Sequence, residues 1–364
     1  MSRLAFIVLI LKSWIICAQA EASPELSELN FLQHFKEEVV PFWDSGETNI
    51  IDGYSHIPIH TVYFSNQREK PLVLILHGFK ESILKFRELA FDFYRQGFSV
   101  LVVNLRGHGF SGRIAKDPHM VHVENYKAYL YDLEKILAFE RFQSHRPVIL
   151  FGHSLGGAIA TAFALEKKSM RLKALILSSP MIGFNTHHVP VWFARPLILA
   201  AVKLGFGDSY AFGQGPRDVA NWVYHPDHRG TSSRARFNQY RSDVLKHQTP
   251  MGGASFRFVL AALNISSAIQ KPSRVSNLDL PILLISGGKD DVILPENHKQ
   301  FCNTARNCQL FPIKEARHAP FFEKEPIRKH FDHAVSSFLK KIETRSSSNE
   351  SPSTENQVHQ SVSG

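Results

Sequence analysis

Five short runs along the chain are almost free of polar residues: Leu72 to Leu76, Val100 to Leu105, Pro147 to Phe151, Ala174 to Leu177 and Pro281 to Ile285. A run that is apolar throughout, rather than alternating, predicts a strand buried on both faces. Between the runs the period changes. Ile83, Phe86, Leu89, Ala90, Phe93 and Tyr94 mark one face of a helix that stops at Gly97, and Tyr126 to Phe142 reads as a long amphipathic helix. Leu29 to Trp43 also has helical spacing, whereas Ile57 to Phe64 alternates like a half-exposed strand. Gln309 to Ile313 predicts a last core strand, followed by a final helix from near Glu325. Strands alternating with helices in this way predict an α/β fold, a mostly parallel central sheet with helices on both faces.

The rhythm breaks from Met181 to about Ser276, a span rich in aromatic, histidine and arginine residues, and resumes at Pro281. The pattern therefore divides the chain into a core, 21–180 and 277–341, and an inserted cap, 181–276. Residues 342–364 are dominated by Ser, Asn, Glu and Gln. They predict a disordered tail, because they cannot bury enough surface to offset the entropy of ordering.

The third apolar run ends in Gly152-His153-Ser154-Leu155-Gly156, and the small residues Ala158 to Ala162 then suit a tightly packed helix. Strand, Gly-x-Ser-x-Gly and helix in that order form the nucleophile elbow of an α/β-hydrolase, with Ser154 at its apex. A serine hydroxyl needs a histidine to take its proton and a carboxylate to orient that histidine, and in this fold they follow in the order Ser, acid, His. Of nineteen histidines, His318 is best placed, after the last strand and before the final helix. His187, His225 and His247 fall in the cap, as surface or substrate contacts. The acid follows the run that ends at Ile285, where Asp290 and Asp291 are adjacent. Only one can face His318. Asp290 fits the spacing from Gly287 and to Val292, which leaves Asp291 to solvent. Backbone N–H groups of Leu155 and Phe79 are the expected oxyanion hole.

The chain has 364 residues, is 44% hydrophobic and carries a net charge of +9. No basic repeat, zinc spacing or RNA-binding motif accompanies that charge, so nucleic acid is not the expected partner. The cap holds eleven Lys and Arg against four acidic residues, a surplus of seven. That surplus suits a phosphate-bearing lipid or an anionic membrane surface. Trp192, Phe193, Leu197 and Trp222 are candidates to line an acyl channel, or else simply cap core. Residues 1–20 combine Arg3, the apolar run Leu4 to Leu11 and an A-x-A site at Ala18 to Ala20. They predict a signal peptide and an exported protein, periplasmic or secreted. Lys12 interrupts the apolar segment, and an uncleaved segment would instead tether the chain to the inner membrane. Without the signal's Cys17, only Cys302 and Cys308 remain, close enough for a disulfide in an oxidising compartment. Their spacing fits no metal site, and the expected chemistry requires no cofactor.

Further strings extend beyond the elbow: Glu81-Ser82 with Lys85, Arg106-Gly107, Ser111-Gly112-Arg113, Asp117-Pro118-His119, Asp132-Leu133, Pro180-Met181, Gly252-Gly253 and Phe322-Glu323-Lys324. With these, the chain from about Phe31 to Leu339 resembles the bacterial lysophospholipases of the L-two type, relatives of the monoacylglycerol lipases. The resemblance implies Ser154 as nucleophile, Asp290 as acid and His318 as base. It also implies hydrolysis of the acyl ester of lysophospholipids, with acyl transfer to another lipid as a further reaction. A monoacylglycerol lipase or general carboxylesterase is the alternative, and a non-catalytic lipid-binding protein a second. Asn104 stands where relatives often have Asp, a departure expected to alter a structural hydrogen bond more than chemistry.

Overall fold

The computed structural model describes residues 24–68, 70–139, 142, 147–166, 171–183 and 190–349. The proposed signal peptide and His187 lie outside them. Eight strands form one sheet: β1 (Glu47–Asp52), β2 (Pro58–Phe64), β3 (Leu72–Leu76), β4 (Ser99–Val103), β5 (Val148–His153), β6 (Leu172–Ser178), β7 (Ile282–Gly287) and β8 (Cys308–Ile313). Their spatial order is β1-β2-β4-β3-β5-β6-β7-β8; β2 pairs antiparallel with both β1 and β4, and every later pairing is parallel. Every residue of β3, β4, β5 and β7 is buried, as the apolar runs require.

Helices α1 (Pro24–His34), α2 (Val40–Asp44), α3 (Arg87–Arg95), α4 (Lys127–Ala138) and α5 (Leu155–Glu166) belong to the first part of the chain. The cap supplies α6 (Val191–Lys203), α7 (Arg234–Lys246), α8 (Phe256–Ile269) and α9 (Pro272–Val275), and α10 (Pro295–Thr304) and α11 (Glu325–Asn349) follow. One hydrophobic core lies between the sheet and α4, α5 and α8, and another on the opposite face beneath α3 and α11. Among the described residues no helix is long and apolar enough to cross a membrane.

Three elements differ from expectation. Strand β1 is too polar to stand out in the sequence: only Ile51 is buried, because β1 is an edge strand held by its backbone pairing with β2. The helix expected over Tyr126 to Phe142 ends at Ala138, where Phe139 turns extended. Phe139 and Phe142 then pack together, ring centroids 5.2 Å apart, and Phe142 also meets Tyr63 of β2. Finally, α11 runs beyond 341 to Asn349, into the expected tail, since Ile342 is buried against the core. Residues 350–364 are outside the described residues.

A buried ion pair joins the segment expected as a cap to the core. Arg236 of α7 is buried and makes a bidentate pair with Glu88 of α3, at 2.9 and 2.8 Å. Cys302 and Cys308 are joined by a disulfide, their Cα atoms 5.1 Å apart, linking α10 to β8.

Candidate active site

Strand β5 delivers the chain into the elbow, where Ser154 has φ = 50°, in the left-handed region. The turn is held by Ser154 N–H donating to Ser178 O (3.1 Å) and Met181 N–H donating to Ser154 O (2.9 Å). Both flanking glycines are sterically required. A Cβ on Gly152 would lie 2.5 Å from Gly156 O, and one on Gly156 would collide with Leu76 O of β3. The strained turn lifts the hydroxyl above the C-terminal edge of the sheet, at the N-terminus of α5.

The structure brings Ser154, His318 and Asp290 together from three segments. His318 Nε2 lies 2.9 Å from Ser154 Oγ, and Nδ1 lies 2.8 Å from Asp290 Oδ2. Asp290 Oδ1 accepts the N–H groups of Val292 (2.9 Å) and Ile293 (3.0 Å). Burial alone would raise the pKa of this carboxyl, but His318 and the two backbone donors outweigh it and the net shift is downward. An ionised Asp290 receives Nδ1–H and leaves the Nε2 lone pair facing the serine hydroxyl, the tautomer that can take its proton. Asp291 turns to the surface and pairs with Arg229 at 2.8 Å.

The loop carrying His318 is clasped by the cap. His318 N–H donates to Arg229 O (3.2 Å), Ala319 N–H to Gly230 O (2.9 Å), and the Arg317 guanidinium to His228 O (2.6 Å). Buried Glu323 accepts Arg317 N–H and Ser232 N–H, each at 2.7 Å.

The residues that brace the opposite wall carry no role in the sequence reading. Glu81 Oε2 accepts Gly78 N–H at 2.7 Å, and its other oxygen pairs with Lys85 Nζ. Burial would raise the Glu81 pKa, but Lys85 and His153 reverse this and hold it at about 2. Burial also lowers His153 to about 3, so its neutral ring donates Nδ1–H to Ser178 O at 3.0 Å, and its centroid lies 5.0 Å from that of His318. In the sequence, Glu81 and Lys85 look like an ordinary i,i+4 surface pair. Only their position just after the His77-Gly78 strand end hints otherwise. Phe79, next along this loop, stacks on Phe258 of α8 with centroids 5.0 Å apart. Asn104 Oδ1 accepts Ile83 N–H at 3.2 Å.

The aromatic cap candidates divide. Trp222 is part-buried, edge-on to Phe237 and Tyr240. Trp192 (77% exposed), Phe193 and Leu197 stand on the outside of α6. His225 and His247 are exposed.

Residues 67–325 match the model of the serine aminopeptidase, S33, family. The probable lysophospholipase L2 of Haemophilus influenzae is 29% identical over 320 residues, 86% of this chain and 98% of that protein. The lysophospholipase L2 of Escherichia coli K12 is 29% identical over 308 residues, 82% of this chain and 88% of that one. Among solved structures, a soluble variant of monoglyceride lipase from Saccharomyces cerevisiae, bound to a substrate analogue, superposes with a TM-score of 0.62 at 19% identity. It covers 82% of this chain and 96% of its own. A carboxyl esterase from Bacillus coagulans gives 0.63 at 16%, covering 82% and 98%. Likeness at that identity establishes the fold, and the family match goes further: the chain belongs to the serine aminopeptidase, S33, family of α/β-hydrolases and is a serine ester hydrolase.

Proposed function

We propose that the protein releases the fatty acid of lysophospholipids through a Ser154–His318–Asp290 triad and an acyl-enzyme. The observation that carries this reading is the hydrogen-bonded relay of 2.9 and 2.8 Å at the apex of the elbow. His318 takes the Ser154 proton as Oγ attacks the ester carbonyl. The Phe79 and Leu155 N–H groups receive the oxyanion. His318 then protonates the departing glycerol oxygen, and water activated by the same ring frees the acyl group. A second lipid hydroxyl replacing that water would give acyl transfer.

The substrate class rests on the two lysophospholipase relatives, which align with most of this chain. The exposed cap face supports action at a lipid surface: Trp192, Phe193, Leu197, Leu204, Phe206 and Phe212 are all exposed. Arg195 and Lys203 lie among them on α6, a combination suited to an anionic membrane. We place this contact, with export to the periplasm or beyond, in the same proposal; export rests on residues 1–20.

The test is fatty-acid release from lysophosphatidylethanolamine, monoacylglycerol and a p-nitrophenyl ester, by wild type and Ser154→Ala. Release from the lysolipid that vanishes in the variant is the expected result. Activity confined to the neutral esters would replace the reading with a monoacylglycerol lipase or general esterase. Silence on all three would point to a lipid-binding protein.

A further inference from the structure

Several of the eleven basic residues of the cap are already occupied. Arg229 pairs with Asp291, Arg236 with Glu88, Arg257 with Asp208 and Arg274 with Glu166. Arg241 donates to the backbone carbonyl of Trp222 at 2.5 Å. Their charge is neutralised or committed to holding the cap, so surplus charge in general does not mark a ligand site. Arg217 is different. Among the described residues no carboxylate pairs with it, nor with Lys80 of the oxyanion loop, and the two line one cavity of about 220 Å³.

Both cations are held in place by other means. Arg217 Nε donates to Met251 O at 2.7 Å, and its guanidinium carbon sits 4.7 Å from the centre of the Trp222 ring. Its backbone N–H donates to His119 Nδ1 at 3.2 Å. Lys80 has φ = 61°, an unusual backbone for a residue with a side chain, and its Nζ lies 5.1 Å from the Phe79 ring centre. Burial, and after it the charge of Arg217, lowers the Lys80 pKa to about 8. Burial lowers that of Arg217 as well. Two half-buried like charges side by side favour an anion between them. One acid, Asp218, lies in the cavity wall and accepts Nδ2–H of Asn221, another lining residue, at 2.7 Å rather than pairing with either cation. Gly252 allows this packing, since a Cβ there would lie 2.8 Å from Gly215 O and 2.9 Å from Arg217 N. The Gly252-Gly253 pair thus acquires a physical reason: it seats the Arg217 segment against the His119 loop.

Lys80 connects the cavity to the proposed oxyanion loop. Lys80 directly follows Phe79, its Cα about 3.8 Å further along the chain. In a lysophospholipid the phosphate is one glycerol unit from the scissile carbonyl. We propose that Lys80 and Arg217 form the subsite that holds the phosphodiester of a lysophospholipid while its ester carbonyl lies at the Phe79 and Leu155 N–H groups. This rests on the lysophospholipase reading above. The pair would distinguish phosphate-bearing single-chain lipids from neutral monoacylglycerols, because only the former give the two cations a partner.

The experiment compares kcat/KM on lysophosphatidylethanolamine and on monoacylglycerol for wild type, Lys80→Met, Arg217→Gln and Lys80→Arg. The ratio of the two should fall about tenfold or more in each neutral variant, the loss of one charge-assisted hydrogen bond, mainly through KM, and recover in Lys80→Arg. In parallel, sn-glycerol 3-phosphate should inhibit p-nitrophenyl ester hydrolysis by wild type, and several-fold more weakly in the neutral variants. A ratio that does not move, or equal losses on both lipids, would overturn the subsite. Inorganic phosphate inhibiting as well as glycerol 3-phosphate would overturn the headgroup assignment. A wild type inactive on the lysolipid would defeat the lysophospholipase reading alone, and the glycerol 3-phosphate arm would still decide the subsite.

Discussion

The Glu81 carboxylate accepts the Gly78 backbone N–H at 2.7 Å, and so holds from beneath the loop that leads to Phe79. The same side chain neutralises Lys85 and faces His153 Nε2 at 3.7 Å. One buried acid therefore ties the proposed oxyanion loop to the residue that precedes the proposed nucleophile. Glu81→Gln keeps an acceptor but removes the charge, leaving Lys85 buried without its partner. A buried pair broken in this way typically costs about 3–5 kcal/mol. We expect Glu81→Gln to lower Tm measurably and to reduce kcat more than KM, measured by thermal melts and ester kinetics. The double variant Glu81→Gln/Lys85→Met should recover part of the stability. Failure of either effect would mean that the ion pair does not brace the loop.

In the proposed triad Asp290 contributes orientation and charge to His318 rather than a proton. Asp290→Asn removes the charge and can favour the wrong ring tautomer, so kcat should fall by about 10⁴-fold with the fold intact. Kinetics on a p-nitrophenyl ester, with circular dichroism as the control, measure this. Asp291→Asn, at the adjacent surface position, should lose less than tenfold. Comparable losses at both positions would contradict the assignment.

Acid stability should be set by buried histidines. Burial lowers His77 and His228 to about 4, and His108 and His153 to about 3, against an ordinary 6.5. Below about 6.5 the unfolded chain binds protons at these sites and the folded chain does not, so stability falls as pH drops from 6.5 towards 4. Asp92 opposes this. Burial raises its pKa to about 7, so between about 4 and 7 the folded state holds a proton that the unfolded state has lost. Burial also raises Asp132 and Asp332, but it lowers His60, His122, His247 and His298 as well, so the histidines outnumber the opposing carboxyls. Tm should therefore drop clearly between pH 6.5 and 4.5, and Asp92→Asn should steepen the drop. A flat profile over that range would refute the prediction.

The exposed face of α6 should govern association with lipid. Trp192→Ser combined with Phe193→Ser should reduce co-sedimentation with vesicles containing anionic phospholipid by several-fold, since two large apolar side chains no longer enter the interface. Raising the salt concentration should weaken binding of the wild type further, as the Arg195 and Lys203 charges become screened. Vesicle binding indifferent to both changes would remove the membrane contact from the proposal.

The core strands and the elbow were legible in the sequence because their determinants are local. An unbroken apolar run can only be a segment buried on both faces, and Gly152 and Gly156 answer to atoms within the same tight turn and its neighbouring strand. The order Ser, acid, His likewise follows from chain order in this fold. Non-local contacts decided the rest. Strand β1 exists because β2 offers it a partner, not because its residues favour a strand. The helix after Tyr126 stops where Phe139 and Phe142 find each other, and α11 continues where Ile342 finds the core. The clearest case is charge. Arg217, Arg229 and Arg236 are equivalent in the sequence, but folding gives Arg229 and Arg236 carboxylates and sets Arg217 beside Lys80. Which ionic groups meet, and which are left facing a cavity, depends on positions brought together from distant parts of the chain, and periodicity carries no information about that.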